Sequence, residues 1–204
     1  MPTEEFQKII NETTKEWNTA EEAVKIAENI DGDVVIPAIL ELRYAGRRLV
    51  DALSMQETDT EEAIALARDA KFFCHRARHD AIDAATSKMA GDLAVAVEYL
   101  SAQVVMNHFS DFPTLYRNLL NVREKVAVSR KDRENRDLIY ETIQTVDLVK
   151  LSEVYTDFRT CEPLMVQTAE KEKRETRRNK IKGNAGLALG VFGIGVSVVL
   201  WFLA

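Results

Sequence analysis

The chain has 204 residues, with 33 acidic against 27 basic side chains and only eight glycines and four prolines. That length holds one domain and a short appended segment rather than two domains. The net charge of −6 conceals an asymmetry: residues 171–182, KEKRETRRNKIK, hold seven basic and two acidic side chains, which leaves residues 1–170 with 20 basic and 31 acidic. So acidic a body argues against a nonspecific nucleic-acid surface. Two cysteines, Cys74 and Cys161, make no disulfide framework and fit a reducing compartment.

The opening MPTEEFQKII has neither the basic n-region nor the apolar h-region of a secretory signal. Phe6, Ile9, Thr13, Trp17, Ala20, Val24 and Ala27 recur at three-four spacing and predict an amphipathic helix over 3–29. Asp31-Gly32-Asp33 closes it, and Asp33 can cap a second helix over 34–54, with Pro37 tolerated in the first turn. In that helix Ile39, Leu42, Gly46, Leu49, Val50 and Leu53 form the expected apolar centre. Arg43 lies at its margin, while Glu41 and Arg48 point away. An arginine at a core margin wants a carboxylate or a ligand, because desolvating it alone is costly.

Asp59-x-x-Glu62 reads as a capping box opening a third helix over 60–88, which Gly91-Asp92 would interrupt or bend. Its expected core face is Leu66, Ala70, Phe73, Ala77, Ala81 and Ala84. Arg68, His75 and His79 cluster on the other side, next to Phe72. That second face is a packing surface, a dimer contact or a site. His75 and His79 also have the i,i+4 spacing of a metal pair, with Asp83 one turn on, but no third ligand is evident and no metal is expected. Helices follow over 93–109, 113–129 and 136–160. The last has Leu138, Ile139, Ile143, Val146, Leu148, Leu151, Val154 and Tyr155 as its stripe, and Cys161-Glu162-Pro163 is expected to kink the chain after it.

The final 22 residues, Gly183 to Ala204, carry no charge. As a helix they would extend about 32 Å, near the hydrocarbon thickness of a bilayer. The basic collar before them, Lys173, Arg174, Arg177, Arg178, Lys180 and Lys182, would sit on the cytoplasmic side against anionic headgroups. Within the run, Gly183, Gly186, Gly190, Gly193 and Ser197 fall within about 80° of one another on a helical wheel, a small-residue seam suited to close helix association.

No Gly-rich phosphate loop, CxxC pair, di-iron ExxH pattern or nucleophile elbow occurs, so no cofactor is expected. The fold expectation is an all-α, up-and-down bundle of four to six helices with a C-terminal transmembrane helix. Its divisions are a cytoplasmic bundle over 1–162, a basic juxtamembrane helix over 163–182 and a tail anchor over 183–204.

The stretch IPAILELRYAGRRLVDAL, followed by EEAIALARDAKFFCHRARHDAIDAA, resembles the HEPN-like helical-bundle proteins of bacteria, including small membrane-anchored members. The resemblance spans about residues 33–110. It implies a four- or five-helix bundle that often dimerises and, in active members, a metal-independent ribonuclease using an Arg-x4–6-His motif in defence contexts. Arg43-YAGR-Arg48 has that spacing with arginine where histidine would stand, whereas Arg68-DAKFFC-His75 matches with both residues present. The expected function is a self-associating, tail-anchored scaffold or membrane-perturbing effector with membrane lipid, further copies of itself and a cytoplasmic protein as partners. The alternative is a membrane-tethered ribonuclease acting on RNA through Arg68 and His75.

Overall fold

The computed structural model describes the backbone of residues 3–203 and the side chains of residues 3–180. It is an all-helical bundle, and no strand occurs among the described residues. Helix α1 spans Glu4–Asp31, α2 Ile36–Met55, α3 Thr60–Tyr99, α4 Ala102–His108 and α5 Phe112–Lys131. Helix α6, Arg136–Thr142, passes through a π-helical segment, Ile143–Leu148, into α7, Val149–Leu203.

The caps set these boundaries. Thr3, Asp59 and Ser101 accept hydrogen bonds from the backbone N–H groups of Phe6, Glu62 and Val104, so α1, α3 and α4 each begin at a side-chain cap. Gly32 ends α1 at φ 78°, where its N–H reaches Glu28 O at 2.8 Å, a left-handed cap that glycine adopts without steric cost.

The 40-residue α3 is the axis of the fold. Helices α1 and α2 pack along its first half, and α5, α6, the π segment and α7 gather around the rest. Alanine makes the close approach possible. Ala38, Ala45 and Ala52 of α2 and Ala20, Ala23 and Ala27 of α1 are fully buried, as are Ala63, Ala67, Ala70, Ala77, Ala81 and Ala85 of α3. Bulkier residues fill the lower bundle, where Met89, Leu93, Leu115, Ile143, Leu148, Phe158 and Met165 are all enclosed. A smaller core at the far end holds Phe6, Ala52, Ala63, Ile64, Leu66 and Ala67.

This alanine packing corrects the expected face of α2. Its buried side is Ala38, Glu41, Leu42, Ala45 and Ala52, whereas Ile39, Val50 and Leu53 are exposed. Small side chains lie closest to α3, so the helix is rotated relative to its bulk hydrophobicity. Arg43 is consequently exposed, with no ion pair among the described residues, rather than at a core margin. Glu41, expected to point away, is instead 8% exposed and paired with Arg76 at 2.7 Å. Gly46 lies under the Trp17 ring, where a β-carbon would meet Cη2 at 3.4 Å.

Three helix boundaries also differ. Helix α3 runs through Gly91, because Met89, Leu93 and Ala96 keep the buried stripe in register, and it breaks only at Leu100-Ser101. Helix α7 continues through Pro163, held by Phe158, Met165 and Ala169 burying either side of it. The π segment shifts the predicted stripe of 136–160. Ile143, Leu148, Leu151 and Tyr155 are buried as expected, but Gln144 turns inward as well, while Leu138 and Val146 remain exposed. The Gln144 side-chain amide then donates to Thr19 O at 2.9 Å, linking that segment to α1.

No helix among the described residues is long and apolar enough to cross a membrane. The expected anchor, with Gly183, Gly186, Gly190, Gly193 and Ser197, and the collar residue Lys182 lie outside the residues whose side chains are described.

Candidate functional site

One face of α3 carries His75, Arg78, His79, Asp83 and Thr86 at three-four spacing, aimed into the seam between α1 and α6. Of the face expected to be a second packing surface, a dimer contact or a site, His75 and His79 turn into this seam of the monomer, whereas Arg68 and Phe72 do not. The seam's centre is Arg78, only 3% exposed. The guanidinium Nη1 lies 3.6 Å from Glu16 Oε2 of α1. Nη2 donates to His75 Nδ1 at 3.2 Å and to the Asp137 carbonyl of α6 at 3.4 Å. An arginine has no lone pair to offer, so Nδ1 of His75 accepts and the ring is the neutral Nε2–H tautomer.

Two carboxylates frame this group. Glu16 Oε2 and Asp137 Oδ1 stand 3.5 and 3.6 Å from His75 Nδ1, and Asp137 Oδ1 also stands 3.2 Å from His79 Nε2. That last contact lacks hydrogen-bond geometry, and His79 Nε2 and Arg78 Nε are both enclosed without a hydrogen-bond partner. Burial lowers the pKa of His75, against the pull of Asp137 and Glu16. Burial likewise lowers His79 to about 4, opposed by Asp137 and reinforced by Arg78. Both imidazoles are thus neutral at pH 7.

The seam is closed from the other side by Tyr140. Its ring stacks on His79 with centroids 3.9 Å apart, and its hydroxyl donates to Asp83 Oδ1 at 2.8 Å. Burial, with Asp83 adding to it, pushes the phenol up to about 12. Arg130 of α5 donates to the other Asp83 oxygen at 2.9 Å. Four helices therefore converge on one polar stripe. What the arrangement does best chemically is hold helices together, since the arginine that would bind an anion is sealed and already occupied.

The other predicted site residues are dispersed. Arg68, proposed to act with His75, instead pairs with Glu5 at 2.8 Å near the start of α1, where both side chains are more than half exposed. Phe72 is 58% exposed, edge-on to Phe73, with the Arg76 guanidinium 6.0 Å from its ring centroid. No group of three His, Cys, Asp or Glu side chains among the described residues is placed to hold a metal. Asp83, one turn on from the histidine pair, is taken up by Tyr140 and Arg130.

Arg78, Glu16, Asp137 and Tyr140 escaped the sequence reading. Arg78 had a local sign, because it sits one turn from His75 and beside His79 on the same stripe. Its partners on α1 and α6 had none.

Further down α3, the Tyr155 hydroxyl donates to Asp92, joined there by Lys88 at 2.9 Å and Arg159 at 3.3 Å. Burial opposes ionisation of Asp92, yet the hydrogen bonds from Tyr155 and Lys88 keep its carboxyl below the usual range. The His108 ring meets Thr168 Oγ1 at 2.9 Å, which fastens α4 to α7. Ala169 is the last buried residue of α7 among those whose side chains are described, and every residue over 170–180 is exposed. Lys173, Arg174, Arg177, Arg178 and Lys180 therefore stand on an exposed helical stalk that buries no side chain in the bundle.

No family model, curated protein or solved structure matches the chain.

Proposed function

We propose that the chain is a tail-anchored, self-associating membrane scaffold or membrane-perturbing effector, with a HEPN-like bundle held in the cytoplasm. In this reading 183–204 crosses the bilayer, 163–182 meets the headgroups and the acidic bundle is the platform for a cytoplasmic protein. The supporting observation is the stalk. Helix α7 continues past Ala169 with eleven exposed residues over 170–180, none of which buries a side chain in the bundle. A helix that is polar all round spans between two attachment points, and the basic collar followed by an apolar run supplies the second one. Inside the bundle, the sealed Arg78 favours a structural use of the polar stripe over a catalytic one.

The test is alkaline carbonate extraction and flotation of the full chain on phosphatidylcholine vesicles. Insertion predicts a protein that floats and resists both carbonate and high salt. Release by either treatment sinks the reading.

The second reading, a membrane-tethered ribonuclease of HEPN type, has one observation in its favour: His75 is neutral and hydrogen-bonded to an arginine. That arginine is Arg78 rather than Arg68. Cleavage of RNA by the full chain, lost in His75→Ala and kept in Arg68→Ala, would favour it with the partner corrected.

A further inference from the structure

The basic collar has two unlike sides. Lys173, Arg177 and Lys180 follow one another at spacings of four and three, which places them within about 60° on one side of α7. Arg174 and Arg178 are turned roughly 100° or more away from Lys173, and Arg174 is answered by Glu170 at 3.4 Å. None of Lys173, Arg177 and Lys180 has an ion-pair partner among the described residues. Three cations along one side of a helix repel one another, so their alignment calls for an anion between them or against them.

The side they share borders a shallow depression on the surface of the bundle. It faces the corner where α3 ends and α4 begins, and a cavity of about 450 Å³ lies between, lined by Tyr99, Ser101, Ala169 and the three cations with Thr176. One carboxylate, Glu172, also borders it. The rim is thus two positive charges in excess, with three hydroxyls able to donate, over an alanine floor. That combination suits a phosphate group, which offers several acceptor oxygens and more than one negative charge. The position is also particular. Lys180 stands three residues before Gly183, where the uncharged run begins, and Lys173 stands ten before it. Along a helix these are about 5 and 15 Å from the start of that run, one within a headgroup layer some 5–8 Å deep and the other about 7–10 Å beyond it.

We propose that this cavity is a binding site for a phosphate-bearing anion, taken from the headgroup of an anionic lipid or from a soluble phosphate compound at the membrane surface. The lipid source rests on the tail-anchored reading; the phosphate chemistry of the cavity does not. Arg177 and Lys173 grip the phosphate oxygens, Lys180 approaches from the membrane side, and Tyr99 and Ser101 border the ligand from the bundle. The outward pair, Arg174 and Arg178, contributes only diffuse attraction.

The experiment compares two variants of equal charge, Lys173→Gln/Arg177→Gln and Arg174→Gln/Arg178→Gln, in the full chain. All four positions are exposed, so both variants keep the fold, which circular dichroism checks. Calorimetric titration is run with dioctanoyl phosphatidic acid into protein in phosphatidylcholine nanodiscs, and separately with inorganic pyrophosphate. The expected result is saturable binding of one ligand per chain. The pocket-facing variant should weaken it at least about tenfold more than the outward-facing variant, since each charged hydrogen bond is worth around a tenfold change. Such a difference with the lipid assigns the headgroup as the source, and with pyrophosphate alone assigns a soluble phosphate compound. Equal losses in the two variants, or no saturation with either probe, overturn the proposal. A chain that fails to enter the nanodisc defeats the membrane reading instead, and the pyrophosphate titration still decides the pocket.

Discussion

Arg78 and Glu16 face each other across the seam between α3 and α1, with Nη1 3.6 Å from Oε2 and the arginine nearly sealed from water. The same guanidinium reaches His75 and the backbone of α6, so one side chain spans three helices. A buried cation of this kind contributes little net stability as a pair, but removing one partner strands the other.

Arg78→Met should therefore destabilise the protein by about 3 kcal/mol, because Glu16 and the Nδ1 of His75 lose their cation while the methionine fills most of the volume. Adding Glu16→Gln should recover part of that loss. Urea denaturation of the wild type, both single variants and the double variant closes the cycle. Additive costs would mean that the two side chains do not act as a unit.

The histidines give the bundle an acid limit. His79 is lowered in the fold to about 4 by burial. A group with a depressed folded pKa contributes stability that is present above its unfolded value, near 6.5, and is lost as the pH falls through the folded value. Between those limits His79 accounts for about 3 kcal/mol, or roughly 10 °C in melting temperature for a domain of this size. His75 is shifted the same way and adds to the trend. His79→Phe keeps the stack on Tyr140 and removes the partnerless Nε2. Its melting temperature should fall less between pH 7 and pH 4.5 than that of the wild type. An unchanged slope would rule His79 out as the titrating group.

How much of this was legible in the sequence differs from helix to helix. Helix α1 could be read directly, since the stripe through Phe6, Thr13, Ala20, Val24 and Ala27 is the buried one and Gly32 ends the helix. Helix α2 could not, because hydrophobic bulk points to Ile39, Val50 and Leu53 while close packing selects Ala38, Ala45 and Ala52. A wheel weighted by hydropathy misses an alanine seam, as it also misses a buried glutamate whose partner, Arg76, lies 35 residues on. The polar stripe on α3 was visible as an oddity at His75 and His79. Its chemistry was not, because Glu16 and Asp137 reach it from helices far away in the sequence.

Gly91 offers a clean gain. It lies inside α3, is exposed, and a β-carbon there would meet nothing within 4 Å. Its backbone is not in the left-handed region, where among the described residues only Gly32 is found. Gly91→Ala should raise stability by about 0.5–1 kcal/mol, by reducing the entropy that glycine loses on folding. The melting temperature reports it. A loss would mean that α3 bends at this point in solution, as the sequence pattern at Gly91-Asp92 first suggested.

Self-association by the glycine seam makes the last prediction. In a membrane the lipid tails offer no hydrophobic drive for helix pairing, so the contact depends on how closely backbones approach. Gly186 and Gly190 are four apart in a run whose larger side chains are chiefly leucine and valine. Leucine at either position would hold two helices apart at the point where the seam brings them together. The mass of the full chain in mild detergent should therefore be a discrete multiple of the 23.1 kDa protomer. Gly186→Leu and Gly190→Leu should each reduce it, as should truncation to residues 1–182. His75→Ala should leave the mass unchanged, since that ring is engaged within its own chain by Arg78. A dimer that survives both truncation and the leucine substitutions would place the contact in the bundle. The exposed apolar row of α2, Ile36, Ile39, Leu40, Val50 and Leu53, would then be the first surface to mutate.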